Sequence, residues 1–326
     1  MLNVSKNWRS QYVKKATSNI FSGHLIWQPD IFTIQRCDYR QGKLISTSQT
    51  QNNKYGPLIL GGSGRVGRML AALWPRDLAP ALWQRRAKAD PIFADDLIWD
   101  ILDTPAPDLP RPVCAVIVLA GVTNGSVQDL LQNTALAEEG CALGTLLGVR
   151  TFLASSQAVY GRKTGVLAET CAPTPATLYG QAKWDMEQAV GEFNAVTCLR
   201  IGNVAGCDGL FKAMARGPTR LDQFCDGAGP RRMMIGPHDL AHVLAALSGS
   251  HIALPKVLNV ARPGLVALQS LADAAGVVWN WQPAPDTTLP VLAMDVSALG
   301  AYLAQPSATA ADLVAQARAG GWAPAL

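Results

Sequence analysis

Short apolar runs alternate with longer amphipathic segments along most of this chain, and that alternation is typical of a parallel α/β sheet. The run at 114–120 is apolar without interruption, so we expect a strand that is buried on both faces. After Gly206 the alternation becomes less regular, which indicates a second and smaller part. We predict strands at 58–60, 80–84, 97–99, 114–120, 151–154, 196–201 and 257–260, and helices at about 69–74, 127–147, 178–193, 239–247, 268–276 and 309–319.

The first 56 residues differ in composition from the rest of the chain, because they are rich in Ser, Asn, Gln, Thr and Lys. They hold eight of the 28 Lys and Arg residues and two of the 24 Asp and Glu residues. The formal net charge of +4 therefore comes from this segment and indicates no nucleic-acid surface on the body. We predict a poorly ordered basic extension at 1–56. A transit peptide is disfavoured, since Arg is sparse and no amphipathic period is clear.

The composition is that of a globular protein, with 49% hydrophobic and 16% charged residues. No apolar run reaches the length of about 18 residues that a membrane span needs, so we predict no membrane partner. The seven cysteines are scattered and none forms a C-x-x-C pair. This pattern favours reduced thiols in a cytoplasmic protein, and it predicts no metal site.

The stretch 58–68 joins an apolar strand, a glycine-rich turn and the start of a helix, which is the context of a dinucleotide-binding motif. Its glycines follow the spacing G-x-x-G-x-x-G. Gly61 permits a sharp turn, Gly64 lets the backbone approach a pyrophosphate, and Gly67 lets helix and strand pack closely. The N–H groups at the helix start would then face the phosphates. The alternative is a glycine-rich turn that binds no ligand.

Two arginines follow the second strand, at the place where a dinucleotide site meets the adenosine ribose. An acidic residue there would accept hydrogen bonds from a 2′-hydroxyl and favour NAD. The chain has Arg85 and Arg86 instead, and a guanidinium pairs with a phosphate through two N–H groups. We therefore predict NADP as the cofactor, with NAD as the alternative, and Arg65 in the glycine turn as an assisting cation. The competing interpretation makes Arg85 and Arg86 solvated surface charges.

A tyrosine and a lysine four residues apart, Tyr179 and Lys183, share one face of a predicted helix. Tyrosine has an ordinary pKa of about 10, so it is a poor base at neutral pH. A nearby ammonium and a cationic nicotinamide would both favour the phenolate, and Tyr179 could then move a proton to or from a substrate oxygen. Lys183 could also bind the ribose hydroxyls of the cofactor. An exposed helical pair without a function is the alternative.

The stretch 153–161 lies where the predicted strand at 151–154 ends, on the sheet edge where ligands of such folds bind. It holds Ser155 and Ser156, and a serine hydroxyl there can hydrogen-bond the reacting oxygen as charge moves onto it. The alternative role for both serines is capping at the strand end. Taken together, the glycine turn, the serines and the Tyr–Lys pair are specific, because they occur in one order on matching elements.

These motifs resemble the extended short-chain dehydrogenase/reductase family, also called the NAD-dependent epimerase/dehydratase family. The resemblance covers nearly all of residues 57–326. It rests on the glycine turn at 61–67, the SSxxVYG-like stretch at 155–161, the Tyr–Lys pair at 179–183, RIGNVAG at 200–206, the segment 226–239 and VLNVARPG at 257–264.

This resemblance implies the fold class α/β, with a Rossmann-like, doubly wound parallel sheet of about seven strands and a small C-terminal substrate lobe. The dinucleotide-binding domain is expected at 57–205. The substrate-binding lobe is expected at 206–326, interleaved with the last strands of the sheet. The resemblance also implies a catalytic set of Ser156, Tyr179 and Lys183, in which Ser156 rather than Ser155 supplies the catalytic hydroxyl.

The resemblance further implies which residues bind the cofactor and the substrate. Asp100 matches an acid that often meets the adenine, and Asn133 matches an asparagine on the helix after strand 4. Asn203 and Arg232, or Arg231, match positions that often hold substrate, commonly a nucleotide-sugar phosphate, and Ser156 joins this substrate set. The expected cofactor-binding residues are Gly61, Gly64, Arg65, Val66, Gly67, Arg85, Arg86, Asp100, Ala120, Tyr179 and Lys183.

Gln157 and Ala158 stand where the 4,6-dehydratases of the family carry an Asp–Glu pair, so dehydration is disfavoured. The resemblance therefore implies an NAD(P)-dependent oxidoreductase or epimerase that acts on a secondary alcohol or ketone, such as that of a sugar or nucleotide sugar. A non-catalytic NADP-binding sensor or a scaffold protein is the rival interpretation. Helices beside the middle of the sheet often form a dimer interface in this family, and the sequence permits such a homodimer.

Overall fold

A computed structural model describes residues 55–93 and 96–325, so nearly all of the predicted extension at 1–56 lies outside the described residues. The strands are β1 (Leu58–Leu60), β2 (Leu82–Arg85), β3 (Leu97–Ile98), β4 (Ala115–Val118), β5 (Arg150–Ser156), β6 (Val166–Leu167), β7 (Val196–Ile201), β8 (Asn203–Val204), β9 (Thr219–Gln223), β10 (Arg231–Arg232), β11 (Met234–Ile235), β12 (Val257–Val260), β13 (Val266–Ala267), β14 (Trp279–Pro283) and β15 (Val291–Met294). The helices are α1 (Arg65–Leu73), α2 (Val127–Leu130), α3 (Gln132–Leu147), α4 (Leu178–Ala189), α5 (Gly209–Met214), α6 (Pro237–Ser248), α7 (Leu268–Ala275), α8 (Ser297–Gly300) and α9 (Ala310–Ala319).

Seven parallel strands form the central sheet in the order β12-β7-β5-β4-β1-β2-β3. Strands β2 and β3 lie on one side of β1, whereas β4, β5, β7 and β12 lie on the other side. The strand order therefore reverses beside β1, and the carboxyl ends of the strands at such a reversal form a ligand-binding crevice. The predicted Rossmann-like, doubly wound sheet of about seven parallel strands is confirmed.

Helices cover both faces of this sheet, so its inner strands are buried on both sides, whereas the edge strand β3 is partly exposed. Ile59 of β1 lies in one core cluster with Leu70 of α1 and Leu244 of α6. Its neighbour Leu60 points to the opposite face and lies in a second cluster with Met186 of α4. All four residues of β4 are buried, as the uninterrupted apolar run predicted. The two cores fix α1 and α4 against the strands whose ends form the crevice.

The remaining strands are short and belong to three smaller sheets. A four-stranded sheet has the order β13-β10-β15-β6, and two parallel pairs join β11 to β8 and β14 to β9. The chain reaches this smaller part twice before residue 206, through β6 and β8, and it returns to the central sheet through β12. Most of these strands span two to five residues, which is too short for a clear alternation of polar and apolar side chains.

Two boundary differences matter for the site. The predicted strand at 151–154 extends over Arg150–Ser156, so both serines belong to β5. The predicted helix at 127–147 is interrupted at Leu131, and a capping box between Ser126 and Asp129 closes the first turn of the short helix α2. In the part of the chain that the structure describes, no helix combines the length and the apolar character that crossing a membrane requires.

Candidate active site

The carboxyl end of β5 meets the first turn of α4, and this contact brings Ser156 and Tyr179 together. Thr177 caps α4, because its side-chain oxygen accepts a hydrogen bond of 3.0 Å from the Gly180 N–H. A Cβ on Gly180 would lie 2.5 Å from the carbonyl oxygen of Ala158, so only glycine lets the helix approach the turn after β5 this closely.

The Ser156 hydroxyl lies close to that of Tyr179 and acts on its pKa. The Ser156 oxygen accepts a hydrogen bond of 3.2 Å from the Ala158 N–H, so its position is set by the backbone. Burial raises the pKa of Tyr179, and the neighbouring Ser156 hydroxyl opposes this shift. Lys183 Nζ lies 6.0 Å from the centre of the Tyr179 ring. Burial is the largest influence on this pKa, and the expectation that the ammonium and a cationic nicotinamide favour the phenolate stays a prediction.

Lys183 is buried one helical turn after Tyr179, on the same face of α4. Its Nζ donates a hydrogen bond of 2.8 Å to the Ala154 carbonyl, which lies two residues before Ser156 on β5. Burial lowers the pKa of Lys183 to about 8, while the nearby Cys198 and Glu187 oppose the shift. Lys183 is therefore a buried ammonium at neutral pH, held beside the strand that carries the serine.

A buried ion pair fixes α4 to the sheet one further turn along the helix. Glu187 and Arg200 of β7 lie 2.7 Å apart, and each side chain is only 3% exposed. Ser155 donates a hydrogen bond of 2.5 Å to Glu187 Oε1. Ser155 therefore has a structural partner, whereas Ser156 faces Tyr179, and this division agrees with the prediction that Ser156 is the catalytic hydroxyl.

The polar network continues from Arg200 across the sheet. Arg200 Nη1 donates to the Tyr160 hydroxyl at 3.1 Å, and Tyr160 in turn donates to Asn259 of β12 at 2.7 Å. Burial of these groups is offset by their mutual hydrogen bonds. Sequence reasoning missed Glu187 as a positioning residue. Its spacing of four residues from Lys183 was the available signal, because it places a carboxylate on the catalytic face of the helix.

The glycine turn has the close contacts that its motif predicts. Gly61 has a φ of +88°, and a Cβ there would lie 2.4 Å from the Ala120 nitrogen at the end of β4. A Cβ on Gly67 would lie 2.4 Å from the Gly62 carbonyl oxygen. Helix α1 begins at its N-cap Gly64 without a side-chain cap and without an acid in its first turn. Its N-terminal N–H groups, including that of Val66, therefore fit a pyrophosphate.

The two arginines at the end of β2 have different surroundings. Arg85 is 9% exposed, and its Nε lies 3.0 Å from Asp96 Oδ2. Its Nη1 donates a hydrogen bond of 2.8 Å to the Ala89 carbonyl. The Arg85 guanidinium is thus paired within the chain and is not the solvated surface charge of the competing interpretation, while its contact with a 2′-phosphate stays a prediction. Arg86 is exposed directly beyond it.

The other two expected adenosine-side residues lie apart from each other. Arg65 Nη1 donates a hydrogen bond of 2.5 Å to the Cys207 carbonyl, in the segment after β8. This bond ties the glycine turn to the smaller part of the chain. Asp100 lies two residues after β3 and is partly exposed, and its contact with an adenine stays a prediction.

Asn133 of α3 is 1% exposed and holds the loop after β4. Its Nδ2 donates to the carbonyls of Val122 and Leu130, both at 2.9 Å, and its Oδ1 accepts from the Val122 N–H at 3.2 Å. A Cβ on Gly121 would lie 2.7 Å from Asn133 Oδ1 and 3.2 Å from Lys183 Nζ. Asn133 therefore lies beside Lys183 with its amide hydrogens already bonded, and direct substrate contact stays a prediction.

The expected substrate residue Asn203 belongs to a polar chain beside Ser156. Gln157 Nε2 donates to Asn203 Oδ1, and Asn203 Nδ2 donates to Asp208 Oδ2 at 2.8 Å. Burial raises the pKa of Asp208, and hydrogen bonds from the Phe211 N–H and from Asn203 oppose the shift. Sequence reasoning missed Asp208, since its only signal was an acid before a short helix.

The two arginines of β10 lie near this polar chain to different degrees. Arg232 is partly buried, and burial lowers its pKa while the carboxylates of Asp208 and Asp222 oppose the shift. Its Nη1 donates to the Arg231 carbonyl at 2.9 Å, whereas Arg231 itself is exposed. Arg232 is thus the better placed of the two expected substrate cations. Among the described residues, no group of three or more His, Cys, Asp or Glu side chains is arranged to hold a metal ion.

Solved nucleotide-sugar enzymes share this fold. MoeE5 in complex with UDP-glucuronic acid and NAD is 20% identical with a TM-score of 0.65, and the match covers 81% of this chain and 99% of that chain. UDP-glucose-4-epimerase from Stenotrophomonas maltophila with bound NAD is 18% identical with a TM-score of 0.65, and the match covers 81% and 96% of the two chains.

The NAD-dependent NDP-hexosamine 5,6-dehydratase TunA is 19% identical with a TM-score of 0.64, and the match covers 81% of this chain and 96% of that chain. No protein-family model and no curated protein matches the chain by sequence. Identities this low show a common fold, and they leave the reaction to be argued from the site itself.

The glycine turn predicts different effects for two alanine substitutions. Gly67→Ala places a methyl group against backbone oxygens on both sides, so we expect a lower melting temperature. Gly64→Ala meets only one atom, the Gly61 oxygen at 3.2 Å, so the fold should persist while dinucleotide affinity falls. Thermal unfolding and calorimetric titration with NAD and NADP check both effects. Unchanged dinucleotide affinity in folded Gly64→Ala would contradict a pyrophosphate site here.

Burial of Lys183 predicts a pH-dependent stability difference between the wild type and Lys183→Met. The folded pKa of about 8 lies below the ordinary value of 10.5, so the unfolded chain binds more protons between these values. Wild-type stability relative to Lys183→Met should therefore rise with pH across that window, by on the order of 3 kcal/mol. Denaturant unfolding measures it, with exposed Lys88→Met as the control. A difference that is independent of pH would show that Lys183 is not desolvated.

Proposed function

We propose that this chain, which has the fold of NAD-dependent nucleotide-sugar epimerases, is an NAD(P)-dependent epimerase or oxidoreductase. It would act on a secondary alcohol or ketone, and a nucleotide sugar is the favoured substrate class. The observation that carries the proposal is the contact between Ser156 and Tyr179 at the carboxyl end of β5, with Lys183 buried on the same helix face. These groups supply the proton-transfer half of a hydride-transfer reaction.

Each of the three side chains has a distinct role in the proposed mechanism. A bound nicotinamide would accept hydride from the substrate carbon or return it. Tyr179 would take the proton of the substrate hydroxyl during oxidation and give it back during reduction. Ser156 would donate a hydrogen bond to the reacting oxygen, since the Ala158 N–H fixes its own oxygen as an acceptor.

Lys183 would assist without touching the reacting oxygen. Its Nζ faces the Ala154 carbonyl and lies near Asn133, so it can donate a remaining hydrogen to the ribose of the cofactor. The positive charge would also favour the phenolate of Tyr179 once a cationic nicotinamide adds to it. Asn133 is then a positioning residue that holds the loop beside this lysine.

The proposed cofactor is a nicotinamide dinucleotide bound across the strand-order reversal. Its pyrophosphate would lie on the N–H groups at the start of α1, where the N-cap residue Gly64 has no side chain. A preference for NADP would depend on Arg86, because Arg85 is bonded to Asp96. Arg85 would act indirectly, by fixing the backbone that presents Arg86.

An elimination reaction has less support than epimerisation or simple oxidation. Gln157 follows the catalytic serine directly, and an amide cannot exchange a proton at neutral pH as a carboxylic acid does. Ala158, the next residue, has no group that could act as a base. The substrate phosphate would be held by Arg232, and Asn203 would line the same wall of the site.

A non-catalytic sensor would need the dinucleotide site but not the Ser156–Tyr179 contact. We therefore rank it second.

The homodimer implied by the family resemblance is proposed through the helices beside the middle of the sheet. Val127, Leu131 and Leu146 are 59%, 49% and 51% exposed there, so apolar side chains are available for such a contact.

Removing the Tyr179 hydroxyl tests the proposed mechanism. In Tyr179→Phe, turnover should fall by about a hundredfold or more, because proton transfer loses its donor. Dinucleotide affinity should stay close to that of the wild type. The measurement follows nicotinamide absorbance with UDP-glucose, UDP-glucuronic acid and simple secondary alcohols, alongside calorimetric titration of the cofactor. If turnover is unchanged in Tyr179→Phe, the proposed mechanism is wrong. If the wild type binds the cofactor but turns over none of these substrates, the non-catalytic sensor is favoured.

The two arginines after β2 should respond differently to substitution. Arg86→Ala should weaken NADP binding by about tenfold while NAD binding stays unchanged, since one charge-assisted bond to the 2′-phosphate is lost. Arg85→Ala should lower the melting temperature, because it leaves Asp96 buried without its partner. Titration of each variant with both dinucleotides measures this. Equal losses for NAD and NADP in Arg86→Ala would exclude Arg86 as the phosphate ligand.

A further inference from the structure

One buried acceptor beside the catalytic serine has no partner. Gln157 is 8% exposed, and among the described residues no group donates a hydrogen bond to its Oε1. A buried polar atom that stays unpaired destabilises the protein, because it has lost its hydrogen bonds to water. Its other amide atom, Nε2, is bonded to Asn203. Such an acceptor is expected where a ligand completes the hydrogen bonding.

The orientation of the Gln157 amide follows from the chain of hydrogen bonds behind it. Asp208 Oδ1 accepts from the Phe211 N–H at 3.0 Å, and this backbone donor cannot reverse. Asp208 Oδ2 accepts from Asn203 Nδ2 at 2.8 Å. Because Asn203 gives its NH₂ group to the carboxylate, it must present its oxygen to Gln157. Gln157 then gives its own NH₂ group to Asn203, and its oxygen is left without a donor among the described residues.

The position of this oxygen relates it to the reacting atoms. Ser156 is the last residue of β5 and lies close to Tyr179, and Gln157 is the next residue along the chain. Asn203 begins β8 just after β7, which pairs with β5 so that Ser156 lies beside Ile201. Ser156, Gln157 and Asn203 therefore all lie at the carboxyl edge of the central sheet. Gln157 directly follows the serine of the proposed site of hydride transfer.

Resting on the proposed function, we propose that Gln157 is a specificity-determining residue that accepts a hydrogen bond from a substrate hydroxyl on a carbon near the reacting one. Asn203 and Asp208 are positioning residues that hold the Gln157 amide with its oxygen towards the substrate. The substrate is accordingly a polyhydroxylated ring or chain, and an isolated secondary alcohol is a poor substrate. The hydroxyl reaches the acceptor when the substrate fills the site and the amide turns slightly towards it.

Calorimetric titration of the full chain, saturated with the dinucleotide it binds more tightly, tests this assignment. The probes are UDP-glucose and its analogues that lack the hydroxyl at C3 or C6. The wild type should bind UDP-glucose about tenfold more tightly than one of these deoxy analogues, since that analogue leaves the buried acceptor unpaired. In Gln157→Met, which keeps the side-chain length, the ratio should fall to about one. The matched control is Gln188→Met, an exposed glutamine of α4, and it should keep the wild-type ratio.

A second variant tests how the Gln157 amide is oriented, rather than whether the amide is needed. Asp208→Asn keeps an N-cap for α5, yet its NH₂ group now faces Asn203. Asn203 and Gln157 should reverse in turn, so that Gln157 presents a donor to the site. The fluoro analogue at the same carbon can accept a hydrogen bond but cannot donate one. Its affinity relative to the deoxy analogue should therefore rise in Asp208→Asn, a change that a general loss of packing would not produce.

The outcomes separate this inference from the proposed function. A wild-type ratio near one, a ratio that Gln157→Met leaves unchanged, or no binding of UDP-glucose overturns the role of Gln157. Hydride transfer is followed independently by nicotinamide absorbance. If the wild type distinguishes UDP-glucose from the deoxy analogue but transfers no hydride, the proposed function is refuted and the hydroxyl contact is supported. If hydride transfer occurs but the two probes bind equally, the proposed function is supported and the role of Gln157 is refuted.

Discussion

The buried ion pair between Glu187 and Arg200 is the constraint on which the arrangement of the site depends. It joins α4 to β7 in surroundings where each side chain is 3% exposed, and loss of one partner in such a pair typically costs about 3–5 kcal/mol. Tyr179, Lys183 and Glu187 recur every four residues on one helix face, so fixing Glu187 also fixes the other two. Ser155 donates a hydrogen bond to Glu187 of this pair, whereas the next residue, Ser156, lies beside Tyr179.

Local sequence patterns were sufficient for the central sheet, and they also singled out Ser156, Tyr179 and Lys183, whose role in proton transfer is our proposal. The continuous apolar run of β4 and the glycine spacing after β1 each depend on short-range physics, namely burial on two faces and the steric limits of a turn. The short strands of the smaller part were not predicted, because two residues carry no periodicity. The partners of Arg85 and Asn203 were not predicted either. Asp96 and Asp208 contact these residues only because the fold brings them together, and no local sequence pattern indicates the contacts.

Burial around the site is costly to the protein and useful to the proposed chemistry. Burial lowers the pKa of Lys183 and raises that of Tyr179, so it disfavours the charged form of both groups. The side-chain oxygen of Gln157 is also buried, and no described residue donates a hydrogen bond to it. Proteins that build such groups into a crevice give up stability for function, and the surrounding network of Arg200 and Tyr160 restores part of it.

We propose that the glycine turn and the Ser156–Tyr179–Lys183 set form one hydride-transfer site. A crystal structure of the protein with bound dinucleotide and UDP-glucose would show whether they do. We expect a pyrophosphate on the N–H groups at the start of α1, a nicotinamide ribose against Lys183, and a nicotinamide ring beside the sugar carbon whose oxygen contacts Ser156 and Tyr179. A dinucleotide bound elsewhere, or a nicotinamide ring turned away from Tyr179, would contradict it.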